Sequence, residues 1–191
     1  KYEVQGSDAR ALLERVCANR VPGRDGAVVL TQMLTALGGI ESEATVTRLS
    51  EDHYYLLSGA VAEIHDLDWL IQHINAGEAV SVTNVTDDYG VLVLTGPQSR
   101  DVLASLTDAG LENQDGFTWM TAREITVAGV PVRALRVSYV GELGWELHHP
   151  MSEIRTLYDA LLDAGQDHGI RPFGTYALNA LRMEKAYKAW G

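Results

Sequence analysis

Two carboxylates stand where their neighbours suggest chemistry. The first is Glu146, near the end of a run that opens at Arg136 and passes through Tyr139, Gly141, Gly144 and Trp145 to Leu147. Tyr139 and Glu146 fall on either side of a glycine turn, so both can face one cleft. A carboxylate held among Tyr139, Trp145 and Leu147 is costly unless donors satisfy it. A flat heterocycle with adjacent N–H groups would engage both oxygens, while the aromatic rings stack on its face. The same run also reads as a plain hairpin, with Gly141 and Gly144 bending the chain between two strands. The second carboxylate lies in Glu41-Ser42-Glu43, just behind the double glycine Gly38-Gly39. By itself that triplet reads as an acidic hairpin tip. Near the chain end, Arg182, Glu184 and Lys185 read as ion-pairing residues on a solvated helix face. His148 and His149 are adjacent and would point to opposite sides of a strand, and the other four histidines show no metal-ligand spacing. Asp66 and Asp68 suit the first turn of a helix, where the dipole favours acid.

The elements that must position these residues come in two similar sets. A shift of ninety residues lays Gly6 on Gly96, Arg10 on Arg100, Leu13 on Leu103, Asp25-Gly26 on Asp115-Gly116 and Thr31 on Thr121 without a gap. It also lays Gly39 on Gly129, Ala44 on Ala134, Leu57 on Leu147, Glu63-Ile64 on Glu153-Ile154 and Leu67 on Leu157. Repeats of roughly 1–75 and 91–165 follow, with 166–191 as a closing turn and helix. In each, a short strand (Tyr2–Val4, Val91–Leu94) leads to a helix (Asp8–Ala18, Ser99–Leu106) whose first turn carries Ser7 as a cap or Pro97. Two strands around a glycine turn follow: Val28–Leu34 with Ala44–Leu49, and Arg123–Val127 with Val132–Ser138. A further strand (Tyr54–Ser58, Trp145–His148) and an amphipathic helix (Glu63–Ile74, Ile154–Ala164) close each set. The expected fold is α+β, two duplicated lobes of antiparallel or mixed sheet with flanking helices and a cleft between them. No glycine-rich dinucleotide fingerprint follows a strand.

Composition narrows the function classes. The chain has 191 residues, 46% hydrophobic and 21% charged, with a net charge of −11. That balance argues against nucleic acid as a partner, since phosphates require clustered Lys and Arg. No run is long and apolar enough to suggest a membrane span, and the start is no signal peptide. Without an initiator Met, the chain reads as an excised piece. The single Cys17 is read as a buried structural thiol in a reducing, cytoplasmic-type compartment.

Four motifs together resemble the folate-binding aminomethyltransferase family, which includes the glycine-cleavage T-protein and the C-terminal portions of dimethylglycine and sarcosine dehydrogenases. They are Gly38-Gly39-Ile40 with its acidic residues, Ser58-Gly59-Ala60 followed by Asp66 to Trp69, the Tyr139 to Glu146 run, and Pro172-Phe173-Gly174 through Trp190-Gly191. The last resembles the dehydrogenase branch, because T-proteins carry a Gly-Ala-Arg-Asp segment where this chain has Tyr176-Ala177-Leu178-Asn179. The resemblance implies tetrahydrofolate as the cofactor, its pterin held by Tyr139 and Glu146, with Gly59 allowing close backbone approach and Trp119 lining the pocket. It implies Glu43 as the catalytic carboxylate where the family has aspartate, a stem longer by one methylene. The implied reaction captures the iminium carbon of an oxidised N-methylglycine as 5,10-methylene-tetrahydrofolate. FAD would then sit in an absent N-terminal flavin oxidoreductase domain of the same chain, and the opening part of the folate module would precede Lys1. A barrel-like module would follow the chain. Alternative readings are a stand-alone aminomethyltransferase, a folate-dependent demethylase, and a non-catalytic regulatory module. The setting would be cytoplasmic, or the mitochondrial matrix in a eukaryote.

Overall fold

Alternation of apolar and polar residues builds the first sheet. A computed structural model describes residues 1–112 and 116–190, so Asp115 of the matched turn and the terminal Gly191 lie outside the described residues. The chain divides into two units, Lys1–Thr86 and Asp87–Ala189. The first contains β1 (Tyr2–Gln5), α1 (Ala9–Val16), β2 (Val28–Leu34), β3 (Ile40–Ser50), β4 (His53–Ser58), α2 (Glu63–Gln72) and β5 (Ser81–Asn84). The strands form one antiparallel sheet in the order β2-β3-β4-β1-β5. Along β3, Ser42, Ala44 and Val46 are buried at every second position, the spacing that places side chains on one face. Helix α1 buries Ala9, Leu12, Leu13 and Val16, a stripe at helical period. Burying each such leucine contributes about 1.5–3 kcal/mol.

The second unit contains β6 (Tyr89–Thr95), α3 (Ser99–Ala104), β7 (Ala122–Val127), β8 (Val130–Leu135), β9 (Gly144–Pro150), α4 (Ile154–Ala164) and α5 (Thr175–Glu184). Its sheet runs β6-β9-β8-β7, again antiparallel. Its core gathers Leu103, Phe117, Val132, Trp145, Leu147, Leu157 and Leu161. Among the described residues, no helix is long and apolar enough to cross a membrane.

The two sheets share one strand order over four strands, which is the expected α+β architecture. Their equivalent strands do not keep a constant offset, however. Tyr2 pairs with Leu56 where Leu92 pairs with Leu147, so Leu56 rather than Leu57 holds the place of Leu147. The cause is the lengths of two connections, which act in opposite directions. Ala128 and Gly129, both at positive φ, join β7 to β8 where the longer Thr35 to Gly39 join β2 to β3, and 136–143 joins β8 to β9 where only Glu51 and Asp52 join β3 to β4. The gapless shift therefore marks the repeats without giving their register. Two local expectations also change. Helix α1 begins after Asp8, whose carboxylate accepts the Ala79 amide at 2.7 Å instead of Ser7 capping the helix. Strand β8 ends at Leu135 rather than Ser138, and 136–143 is an irregular loop.

Candidate functional site

Strand β9 carries Glu146 on the face opposite Trp145 and Leu147, which are in the core, so these two do not surround the carboxylate as expected: neighbours in a strand point to opposite faces. Its register partners are Val93 on β6 and Leu135 on β8, so apolar side chains flank it on both sides. Two residues on, and therefore on the same face, His148 places Nε2 3.2 Å from Glu146 Oε2. The imidazole is 1% exposed and the glutamate side chain 28% exposed. Among the described residues, His148 is the one hydrogen-bond partner of this carboxylate. A carboxylate has about four acceptor positions, so most of the capacity of Glu146 is available to a ligand. The signal for His148 is present in the sequence as Glu-x-His in a strand. His149 points the other way, against Gly90.

Tyr139 lies in the 136–143 loop, 37% exposed, with the Arg182 guanidinium 5.8 Å from its ring centre. Arg182 is itself held by Asn179 and by the Tyr187 carbonyl, and Lys185 reaches Glu142 at 2.9 Å. That ion pair raises the Lys185 pKa. The α5 segment thus fixes the loop instead of presenting a purely solvated face. Trp119 lines a cavity of about 270 Å³ with Arg136, Glu142, Leu143 and Tyr187. Neither Tyr139 nor Glu146 is among the residues lining that cavity. Arg100, and Arg136 at the start of the loop, stand 6.0 and 5.9 Å from the ring of the buried Trp145. Burial and the neighbouring Arg100 lower the pKa of Arg136.

Glu43 and Gly59 belong to the other unit. Glu43 faces its register partner Gln32, whose amide donates to the carboxylate at 2.8 Å. Gly59 is exposed with an ordinary φ of −63°, and a Cβ there would meet nothing within 4 Å. Packing within the unit therefore does not require glycine at this position. The acidic triplet is part of β3 rather than the hairpin tip, where Leu37 is exposed.

A cluster that sequence reasoning missed surrounds Asp66. This residue lies in the first turn of α2, as expected, and is fully buried. Ser42 Oγ donates to Oδ2 at 2.9 Å, and His65 Nδ1 lies 3.0 Å from Oδ1. His65 also meets Glu41 at 2.8 Å. Hydrogen bonds to Asp66 and then to Glu41 raise its pKa. The available signal was weak, because only the tertiary approach of α2 to β3 joins positions 42 and 66. Cys17 is held next to Thr31 and Met33, and burial pushes its thiol up to about 12, which makes it unreactive. Among the described residues, no group of three His, Cys, Asp or Glu side chains is arranged to hold a metal.

Comparison with known proteins identifies the family and agrees with the fold. The sequence matches the GCVT N-terminal domain over residues 1–191. It is 43% identical, over its whole length, to the mitochondrial dimethylglycine dehydrogenase of Homo sapiens, of which it spans 22%. It is 33% identical to an aminomethyltransferase of Anoxybacillus flavithermus, again over its whole length, spanning 52% of that protein. The crystal structure of the glycine cleavage system aminomethyltransferase T from Bartonella henselae superposes with a TM-score of 0.81 at 27% identity, covering 96% of this chain and 47% of that one. These relatives are enzymes, and none supports the non-catalytic regulatory reading. The chain belongs to the GCVT N-terminal domain family.

Proposed function

We propose that this chain is the tetrahydrofolate-binding domain of a dimethylglycine dehydrogenase-like enzyme, where it receives the one-carbon unit released when an N-methylated glycine is oxidised. The observation that carries this is the acceptor capacity of Glu146 on an apolar strand face, in a chain whose whole length matches a dehydrogenase domain. The residues fit a pterin. Glu146 offers a carboxylate edge to adjacent N–H donors, and the buried His148 holds that edge in place. Arg182 holds Tyr139 at the loop. Gln32 sets the orientation of Glu43, the carboxylate proposed to manage the proton at the reacting nitrogen. Bound folate would supply the nucleophilic nitrogen and leave as 5,10-methylene-tetrahydrofolate. The flavin and the oxidation would belong to polypeptide outside residues 1–191, and holding both partners in one protein would limit hydrolysis of the reactive iminium. The mitochondrial setting of the human relative makes the matrix the proposed location for a eukaryotic protein of this kind.

Calorimetric titration of the full-length enzyme with tetrahydrofolate, beside a Glu146→Ala variant, tests the reading. Loss of a charge-assisted contact should weaken binding by about 10- to 100-fold. Equal affinity in both proteins would sink it. A stand-alone aminomethyltransferase is the second reading, favoured by the match to the bacterial enzyme. Turnover with a glycine-cleavage aminomethyl donor, and none with dimethylglycine, would select it.

A further inference from the structure

The loop that carries Tyr139 is pinned at both ends and unheld by the backbone in its middle. At its start, the Arg136 amide donates to the Thr121 carbonyl at 2.7 Å. At its end, the Leu143 carbonyl accepts the Gly96 amide at 2.8 Å and the Ser99 hydroxyl at 3.1 Å. Among the described residues, no backbone hydrogen bond joins 138–142 to the rest of the chain. Val140 is buried, but apolar burial is non-directional and leaves the place of the Tyr139 ring to be set by other contacts.

The end of α5 supplies them. Arg182 and Lys185 are three residues apart, a spacing that puts both on one side of a helix end. Arg182 lies over the Tyr139 ring at 5.8 Å. Lys185 lies over the turn two residues further on, where a Cβ placed on Gly141 would come within 2.6 Å of Lys185 Cγ. Gly141 has a φ of 74°, so glycine suits both the turn and the close passage of the lysine stem. The ammonium then reaches Glu142 at 2.9 Å. Lys185 is also the C-cap of α5. Its direction is fixed by the two hydrogen bonds that close the helix, from the Ala186 amide to the Met183 carbonyl and from the Tyr187 amide to the Arg182 carbonyl, each at 3.0 Å. The lysine and glutamate side chains are 44% and 39% exposed, so their charge pairing alone contributes little. The apolar stem against the Gly141 backbone is the second contact, and the ion pair keeps it in place.

We infer that Lys185 is a positioning residue of the proposed folate site, acting through Gly141 and Glu142 to set where the Tyr139 ring stands. The inference rests on the folate reading above. Lys185 touches no reacting atom; it holds a loop whose displacement by about 1 Å would spoil the aromatic surface offered to a pterin.

Calorimetric titration of the full-length enzyme with tetrahydrofolate tests this, with Glu146→Ala in the same series as the control. Lys185→Ala should weaken binding by about 5- to 10-fold. Lys185→Arg keeps a stem and a cation and should return to within about two-fold of wild type. A 3-fluorotyrosine incorporated at position 139 reports the ring directly: its fluorine resonance should move and broaden in Lys185→Ala and recover in Lys185→Arg. If Glu146→Ala loses affinity and Lys185→Ala does not, the positioning role is refuted while the folate site stands. Weakened binding in Lys185→Ala with an unchanged fluorine resonance, or no recovery in Lys185→Arg, would refute it as well. Equal affinity in Glu146→Ala and wild type would remove the folate site and this inference with it.

Discussion

Asp66 and Glu146 are both carboxylates beside a histidine, yet their surroundings differ in one respect that separates structure from function. Asp66 is fully buried, and each of its oxygens has a partner in Ser42 or His65. Glu146 is partly exposed, and a single imidazole contacts it at 3.2 Å. A buried carboxylate with a partner on each oxygen and no route to solvent anchors the helix that carries it to the strand that meets it. An unsaturated one, stiffened by a buried neighbour, retains acceptors for a ligand. Residue type and burial together do not distinguish these roles, whereas the inventory of hydrogen-bond partners does.

Substitution at the two positions should give opposite outcomes. Asp66→Ala leaves Ser42 Oγ and His65 without their partner and should cost about 3 kcal/mol of stability, read as a lowered Tm and denaturation midpoint. Asp66→Asn should recover part of that loss. Glu146→Ala should cost the fold less than about 1 kcal/mol while weakening folate binding as stated above. If Glu146→Ala destabilised the protein as much as Asp66→Ala, the distinction would collapse.

A subtler comparison sets Glu43 beside Gln32. Glu43→Gln in the full-length enzyme should slow folate-dependent turnover by about 10²-fold with folate affinity kept. Gln32→Leu should cost less and shift the pH profile, because it leaves the carboxylate present but unoriented. An unchanged rate in Glu43→Gln would remove that residue from the chemistry.

The smallest effect belongs to the rim of the Asp66 cluster. His65 gains affinity for its proton on folding, since Asp66 and Glu41 hold the imidazolium. Its contribution is therefore complete below the unfolded value of 6.5 and is lost as pH rises through the higher folded value. The side chain is half exposed, so the loss should stay below about 1 kcal/mol. Thermal melts of wild type and His65→Gln should converge above that window and separate below it. Parallel curves throughout would show that the imidazole makes no linked contribution.

Much of the element pattern was legible in the sequence, because periodicity reports burial locally. The expected bounds Val28–Leu34 and Ile154–Ala164 are those of β2 and α4. Strand β5 was not legible, since Ser81, Val82, Thr83 and Asn84 are few and mostly polar. They become a strand because the free edge of β1 pairs with them. The loop after β8 was obscured by its own residues, which alternate like a strand through Val137 and Ser138 although the ladder stops at Leu135.

The sequence by itself determined the α+β class, the paired sets of elements, the family, and Glu146 as a candidate binding carboxylate. Each of these depends on residue types at short or regular spacing. Only the tertiary structure decided that His148 is the partner of Glu146, that Asp66 is an anchor, and that β6 is the edge of its sheet where β1 is paired on both sides. Those outcomes depend on which distant segments meet, and hydrogen-bond saturation and strand closure are set by that meeting rather than by local pattern.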